Sequence, residues 1–459
     1  MPIFNGALRK ENDIVHVKEG RCFSDITYTL HYVNAQENGD FDSVKVNVDV
    51  KNQTGWLCSE YFLIGTRDKY TVEEFDSEGS YEILINNLTD DDKVDIPFNG
   101  VDVYLECDDP IDGVESFLGF LAMFTQDDFP KLITPQFVEE ESIRFLNETM
   151  HWVPEVRQID RVEIDEKLIK SGDFFAETGM DGLAALIEYG TGGRIGHSTM
   201  ALWFGEELYI VESNGSGIHR TPYKQRVQET GDSYMWIPLS DENAAKFNET
   251  AAIEFFNKTN GTAYGFHNFM FGWIDTPENN NPPLIANKLV PIVWKIVGDV
   301  VPSITDIFYA QALNHHLGTK GLTIPQLASQ AAKKGMTLED LQAVVEEDFW
   351  DYEGDKPKDG WSYVCSAYVT AMYKAAGIFG DMPINAVEHT PKDLYQMKVF
   401  KENWERPEQC VKADPDATFC QLSGKWRVSL PGFNTIEPYA HMNEKCPSMA
   451  PNYVRPDGC

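Results

Sequence analysis

The first 155 residues alternate apolar and polar positions in the way that β-strands do. Four segments rich in β-branched and aromatic residues lie between polar turns: 26–33, 44–50, 81–88 and 101–107. A fifth segment, 117–124, is apolar throughout and could be a buried strand or a short helix. The pattern predicts antiparallel strands, and this region contains no motif that carries chemistry.

Beyond about residue 160 strand-like segments are followed by helical ones. The strand-like segments are 167–177, 197–204 and 208–213. Helical periodicity follows at 241–258, 325–335, 338–349 and 365–379. The third helical segment opens with a capping box, because Asp340 follows Thr337 by three positions. The predicted fold class is therefore α+β.

The change of pattern predicts three regions along the chain. An antiparallel β-sandwich-like N-terminal domain occupies residues 1–155. A second domain occupies 156–400 and carries a helical insertion at about 216–360. The last region, 401–459, is a cysteine-rich extension with little helical pattern.

Composition excludes some classes of protein. The chain has 459 residues, of which 42% are hydrophobic and 24% charged, so it can bury a sizeable core and is not of the disordered class. Asp and Glu number 73 against 38 Lys and Arg, which gives a formal net charge of −35. A surface this acidic repels phosphate backbones and anionic lipid headgroups, so a nucleic-acid partner is not expected.

Two features bear on the compartment in which the protein works. No apolar run reaches the roughly 18 residues of a membrane helix, and no signal peptide is visible at the N-terminus. Seven glycosylation sequons, where chance predicts roughly three, favour a secreted or lysosomal protein whose signal has been removed. Their asparagines are Asn52, Asn87, Asn147, Asn214, Asn248, Asn257 and Asn260.

The placement of the cysteines agrees with an oxidising compartment. Four of the eight lie in the last fifty residues, a segment rich in Pro and Asn that cannot bury much apolar area. Sequence does not fix connectivity, but three pairings are the expected ones: Cys58 with Cys107, Cys410 with Cys420, and Cys446 with Cys459. If Cys365 is a free thiol, a second cysteine must also be unpaired, and Cys22 is the candidate.

A predicted hairpin places a histidine beside a glutamate. Gly205 and Glu206 form a two-residue turn that opposes Phe204 with Glu207. This register sets Thr199 opposite Glu212, and alternation then puts His197 on the same face, diagonal to Glu212. A glutamate in that position can orient the imidazole ring and stabilise its protonated form. The alternative is a solvated histidine and a rim glutamate in an ordinary hairpin.

Cys365 stands at the predicted start of an Ala-rich amphipathic helix. The helix dipole and the unpaired N–H groups of a first turn favour a thiolate, and they can also donate hydrogen bonds to an oxyanion. The alternative is a cysteine that packs as a small apolar side chain or forms half of a disulfide.

Four short motifs occur in a characteristic order along this part of the chain. They are SGDFF with Asp173, GRIGHSTMAL with His197, YIVESNGSG with Glu212, and YVCSAYV with Cys365. Together they resemble the permuted NlpC/P60 family of papain-like thiol hydrolases, in particular its YiiX/YebB-like branch, over about residues 165–400.

The resemblance implies a role for each matching residue. Cys365 would be the nucleophile, His197 the general base and acid, and Glu212 the orienting third member. Asp173 and Tyr363 would be the candidate residues of the substrate pocket, although Asp173 would be structural more than catalytic and Tyr363 would line the pocket or merely pack. The stretch between Glu212 and Cys365 is longer than in compact bacterial members, so substrate specificity does not carry over.

Other polar segments are set aside. The glycines of 188–196 do not fit a phosphate loop, and His267, His315 and His316 have no metal-ligand spacing. The acidic segments 89–95 and 351–360 lack the calcium-loop pattern. We therefore expect no cofactor and no metal.

Three functions compete at this stage. The first is a secreted or lysosomal thiol hydrolase that cleaves an amide bond, with cell-wall or isopeptide amides as the substrates that the resemblance suggests. The second is a lipid acyl hydrolase or acyltransferase, with the apolar segment 284–297 as a lipid-facing surface. The third is an extracellular structural or binding glycoprotein that keeps the fold without turnover. Oligomeric state is left open by the sequence.

Overall fold

A computed structural model describes residues 3–17, 20, 22–54, 58–105, 136–266, 269, 287–300, 302–344, 348, 362–438 and 440. The chain divides into two compact units. The first unit comprises Met1–Leu118 and Pro283–Val344, and the second comprises Gly119–Pro282 and Val345–Cys459. The predicted insertion at about 216–360 is thus shared between the two units.

All sheets among the described residues are antiparallel. The strands are β1 (Ile3–Leu8), β2 (Ile14–Val17), β3 (Phe23–Val33), β4 (Ser43–Gln53), β5 (Glu60–Gly65), β6 (Tyr70–Phe75), β7 (Gly79–Ile85), β8 (Val101–Leu105), β9 (Glu155–Val156), β10 (Phe174–Thr178), β11 (His197–Phe204), β12 (Glu207–Asn214), β13 (Gly217–Pro222), β14 (Ser233–Ile237), β15 (Cys420–Ser423) and β16 (Trp426–Arg427).

The α-helices of the described residues are mostly short. They are α1 (Asp90–Asn99), α2 (Gln136–Met150), α3 (Leu183–Thr191), α4 (Tyr223–Glu229), α5 (Asp241–Lys246), α6 (Glu249–Thr259), α7 (Leu289–Val300), α8 (Pro302–Thr305), α9 (Gln311–Leu317), α10 (Ile324–Lys333), α11 (Leu338–Gln342), α12 (Cys365–Ala375), α13 (Pro391–Gln396) and α14 (Glu408–Ala413). A search of the described residues finds no helix long and apolar enough to cross a membrane.

The first unit has two four-stranded sheets that share one hydrophobic core. Their strand orders are β2-β3-β4-β7 and β1-β8-β5-β6. Tyr28 of β3 pairs with Val48 of β4, and both are fully buried in the core that also takes Phe62 of β5 and Val103 of β8. Strands β3, β4, β7 and β8 lie in the four predicted segments of this region, because alternation buries one face of each strand; β7 ends at Ile85, and residues 106 and 107 lie outside the described residues.

Cysteine pairing in the first unit differs from the prediction. Cys58 is bonded to Cys22, so the predicted bond between Cys58 and Cys107 and the predicted free Cys22 are both wrong. The Cα atoms of Cys22 and Cys58 are 5.5 Å apart, because the start of β3 lies beside the start of β5. Cys107 and the apolar segment 117–124 lie outside the described residues.

The segment proposed as a lipid-facing surface belongs to the first unit. Leu289 and Ile292 of α7 are buried against Leu63 and Tyr104. These side chains therefore complete a protein core, which removes the observation that favoured a lipid substrate.

The second unit has a six-stranded sheet in the order β13-β12-β11-β10-β14-β15. Its central hairpin has the predicted register, since Phe204 pairs with Glu207 and Met200 with Val211. Gly205 makes the turn at φ 67°, a conformation that glycine adopts without strain.

Three predicted segments of the second unit differ in their bounds. The strand expected over 167–177 begins only at Phe174, after a 3₁₀ turn at Glu166–Leu168. The helix expected over 241–258 is two helices, because the Asn248 side chain accepts a hydrogen bond from Ala251 N and starts α6 anew. The helix that starts at Cys365 ends at Ala375, since Gly377 follows at φ 83°.

The C-terminal part of the second unit carries the other disulfide of the described residues. Cys410 and Cys420 are bonded, as predicted, and join α14 to β15. The expected bond between Cys446 and Cys459 lies outside the described residues.

Candidate active site

The hairpin of β11 and β12 brings the predicted histidine and glutamate together. Continuing the register places Thr199 opposite Glu212, with His197 diagonal to it on the same face of the sheet. His197 Nε2 lies 2.8 Å from Glu212 Oε2. The side chain of His197 is 22% exposed and that of Glu212 only 3%, so the imidazole reaches solvent while its partner is buried.

The carboxylate of Glu212 has nitrogen-bearing side chains beside it on two further elements. Arg226 Nε of α4 donates to Glu212 Oε1 at 3.2 Å, and His219 Nε2 of β13 lies 3.7 Å from the same oxygen. Burial alone would raise the pKa of Glu212, but Arg226 and His197 outweigh it and lower this pKa to about 2. Glu212 is therefore ionised throughout the physiological range.

Cys365 is the first residue of α12 and is buried. It is the only cysteine of the described residues outside a disulfide. Burial by itself lowers the pKa of His197, but hydrogen bonds with Cys365 and Glu212 outweigh burial and hold this pKa well above its usual value. The imidazole thus lies between a thiol and a carboxylate, as a base–nucleophile pair with an orienting group requires.

The chain just before Cys365 is fixed by two neighbouring segments. The Tyr363 carbonyl accepts hydrogen bonds from Ser213 Oγ at 2.7 Å and from Gly265 N at 3.1 Å. A Cβ atom on Gly265 would lie 2.8 Å from the Ser362 carbonyl oxygen, so this approach of two backbones requires glycine. Ser213 follows Glu212 directly, which couples the position of Cys365 to that of the glutamate.

Sequence reasoning missed Tyr264. Its hydroxyl makes hydrogen bonds to both the side chain and the backbone of Cys365. Burial and the neighbouring thiol raise the pKa of Tyr264 well above its usual value, so it carries a proton that it can donate. Tyr264 is distant from Cys365 in the sequence and belongs to none of the four motifs, so no local pattern signals the contact.

The two candidate pocket residues, Asp173 and Tyr363, are both buried. Asp173 accepts hydrogen bonds from Lys170 N at 2.9 Å, Trp236 Nε1 at 2.8 Å and Leu239 N at 3.1 Å. Burial nevertheless raises the pKa of Asp173 to about 6. Its oxygens are occupied by protein donors, so its role is to join the start of β10 to the end of β14, and the substrate-pocket role does not fit.

The Tyr363 side chain is only 3% exposed and packs among aromatic rings. Its ring centroid lies 6.1 Å from that of Phe255 and 6.2 Å from that of Tyr368. Of the two roles considered for Tyr363, packing is therefore the one that the contacts favour.

The remaining candidates fall outside this cluster. Six of the seven sequon asparagines are exposed, and Asn214 is half-buried at the end of β12. Across the part of the chain that the structure describes, no group of three or more His, Cys, Asp or Glu side chains has the geometry of a metal site. His267 lies outside that part.

Comparison with protein-family models, with curated proteins and with solved structures finds no match.

Proposed function

We propose that this protein is a thiol hydrolase that cleaves an amide bond through Cys365, His197 and Glu212. The observation that carries the proposal is the position of His197, hydrogen-bonded both to the free thiol at the start of α12 and to a buried, ionised glutamate. A structural cysteine needs neither partner.

The chemistry would follow from these contacts. His197 accepts the thiol proton, and the Cys365 sulfur attacks the substrate carbonyl carbon and forms a tetrahedral intermediate. The intermediate collapses to a thioester as the C–N bond breaks, and the protonated His197 gives its proton to the leaving amine. Water, deprotonated by His197, then attacks the thioester and releases the acid product and the free enzyme. Glu212 keeps the imidazole oriented and stabilises its protonated form.

The oxyanion of each tetrahedral intermediate needs hydrogen-bond donors. The first-turn N–H groups of α12 have no carbonyl partner within the helix, and its N-cap residue, Val364, makes no side-chain cap. The helix end and the Tyr264 hydroxyl therefore supply donors next to the sulfur.

The order of the elements supports the fold that the motifs suggest. Asp173 precedes β10, His197 opens β11, Glu212 lies on β12, and Cys365 starts the helix whose preceding carbonyl bonds to Ser213. We infer a permuted papain-like domain of the NlpC/P60 type in the second unit and a β-sandwich-like domain in the first.

Two bonded cysteine pairs and exposed sequon asparagines favour an oxidising compartment, extracellular or lysosomal. Glycoproteins that keep such a fold without turnover would share these features, so the reactivity of the thiol is what separates the two functions.

Thiol alkylation provides the first test. Iodoacetamide at pH 5, where an ordinary thiol is almost wholly protonated, should label Cys365 within minutes, as identified by peptide mass spectrometry. His197→Gln should slow this labelling at least about 100-fold, because the base is lost. A wild-type Cys365 that stays unlabelled at pH 5 and pH 8 would favour a non-catalytic glycoprotein.

Turnover provides the second test. Cys365→Ala should lower the hydrolysis of amide-linked peptides by at least about 1,000-fold, while circular dichroism and melting stay those of the wild type. Cys365→Ser serves as the isosteric control and should be similarly impaired. An alanine variant with full activity would disprove the assignment of the nucleophile.

A further inference from the structure

One cation connects the candidate triad to a strand that contributes nothing to it. Arg226 of α4 donates through Nε to Glu212 of β12, as described above, and through Nη2 to Glu177 of β10. Its guanidinium carbon also lies 5.2 Å from the ring centre of Tyr234 on β14. A single planar side chain thus holds two carboxylates on either side of β11, the strand that carries His197.

The three charged side chains are shielded from solvent. Arg226 is 15% exposed, Glu177 6% and Glu212 3%. A carboxylate this buried takes up a proton unless a cation compensates it, and breaking a buried pair leaves an uncompensated charge. Arginine is suited to this position because it stays charged at every relevant pH and binds two carboxylates at once.

We propose that Arg226 is a positioning residue that keeps Glu212 anionic in acid, so that the triad stays assembled in an acidic compartment. This inference rests on the proposed function, since it concerns the third member of the same site. It adds an expected pH range of activity, which the three triad residues alone do not imply.

Among the described groups that contact Glu212 and Glu177, Arg226 is the one that carries a permanent positive charge. Glu212 faces His197 on β11 and His219 on β13, which are cationic only when protonated. Glu177 accepts a further hydrogen bond from Thr230 Oγ1 at 2.6 Å. Asp181 and Asp232 are also close to Glu177. Besides burial, the charge of Glu177 raises the pKa of both. Without Arg226 this part of the sheet would hold acids and no permanent cation among the groups named.

The expected result concerns the acid range. In the wild type, the NMR signal of ¹³C-labelled His197, assigned by comparison with His197→Gln, should report one state from pH 6 down to about 3.5. In Arg226→Gln, Glu212 should take up a proton and release the imidazole, giving a transition between about pH 4 and 6. The alkylation rate of Cys365 should fall at least about 10-fold at pH 4 and change less than about 3-fold at pH 7.

Three controls separate this role from the loss of a charge or of packing. Arg220→Gln removes a cation from β13, where the guanidinium lies 3.9 Å from the Phe204 ring centre, and should leave both profiles unchanged. Arg226→Lys keeps the charge and should restore part of the acid range, because the ammonium still faces Glu212 but cannot bind both carboxylates in the fixed geometry of a guanidinium. In a Glu212→Gln background, Arg226→Gln should produce no transition, because no carboxylate remains to titrate there.

The proposal is overturned if the Arg226→Gln profiles superimpose on those of the wild type, or if the transition persists in the Glu212→Gln background. If Arg226→Gln does not fold, the double variant Glu177→Gln, Arg226→Gln takes its place, because it leaves one unpaired carboxylate instead of two. The same two outcomes would then overturn the proposal. A wild-type Cys365 that does not react would defeat the proposed function, while the His197 signal would still decide the role of Arg226.

Discussion

Each of the two units buries one arginine between two carboxylates. In the second unit Arg226 lies between Glu212 and Glu177. In the first unit Arg67 Nη2 lies 2.6 Å from Asp102 Oδ2, and Nη1 lies 3.9 Å from Asp95 Oδ2. The ingredients are nearly the same, and only the surroundings differ.

The surroundings shift the pKa of the two carboxylates in opposite directions. Burial raises the pKa of Asp102 to about 6 despite Arg67, whereas cationic neighbours lower that of Glu212 to about 2 despite burial. Asp102 is wholly buried, and its Oδ1 has no hydrogen-bond partner among the described residues. Glu212 has Arg226, His197 and His219 around it. The closeness of the cationic partners accounts for the difference: Arg226 Nε lies 3.2 Å and His197 Nε2 2.8 Å from the oxygens of Glu212, whereas the second cation beside Asp102, Lys288 Nζ, lies 3.8 Å from Oδ1.

The largest expected effect comes from removing the arginine of the first unit. Arg67→Met should destabilise that unit by about 3–5 kcal/mol, because it leaves Asp95 buried without its cation and Asp102 with only Lys288 Nζ, 3.8 Å from Oδ1. Hydrogen exchange of peptides from β5 and β8, measured by mass spectrometry, should rise accordingly, while peptides from β11 and β12 stay protected. Unchanged exchange in β5 and β8 would mean that the buried pair contributes nothing to the stability of this unit.

The pH dependence of unfolding should show the opposite signs directly. The folded-state pKa of Asp102 lies above its unfolded value near 3.9, so its contribution is present below about pH 4 and lost as pH rises through about 6. The folded-state pKa of Glu212 lies below its unfolded value, so its contribution is present above about pH 4.5 and lost as pH falls through about 2. Each amounts to about 3 kcal/mol.

Urea unfolding of the wild type, Asp102→Asn and Glu212→Gln at steps from pH 2 to 7 measures both contributions. Asp102→Asn should flatten the slope between about pH 4 and 6, and Glu212→Gln the slope between about pH 2 and 4.5. If both variants flatten the same window, the contrast between the two arginines is wrong.

The smallest effect is expected at an exposed pair in the first unit. Lys45 Nζ lies 3.3 Å from Glu82 Oε2, and these side chains are 32% and 60% exposed. Lys45→Gln should change the unfolding free energy by less than about 1 kcal/mol, because solvent screens the pair. A loss comparable to that of Arg67→Met would show that pairing itself, and not burial, governs these contributions.

The hairpin of the candidate site could be predicted because its constraints are local. Gly205 sets the turn, the turn sets the register, and a period of two places His197 and Glu212 on one face. The start of α12 at Cys365 was equally visible in the helical periodicity. Cys410 and Cys420 were paired correctly because only a short segment separates them.

The errors concern contacts between residues distant along the chain. The partner of Cys58 depends on which strand ends lie side by side, and alternation does not encode that. The prediction that segment 284–297 faces lipid failed because an amphipathic helix has the same apolar face whether lipid or protein covers it.

By itself the sequence determined where the β11–β12 hairpin turns, that a thiol opens an Ala-rich helix, and where strands β3, β4 and β7 lie. Only the tertiary structure decided that Tyr264 reaches this thiol, that Arg226 binds Glu212 and Glu177 together, and that Cys22 pairs with Cys58. The physical reason is the distance along the chain over which each effect acts. Turn geometry and periodicity act over a few residues, whereas the burial and charge that set a pKa come from whichever distant segments the core brings together.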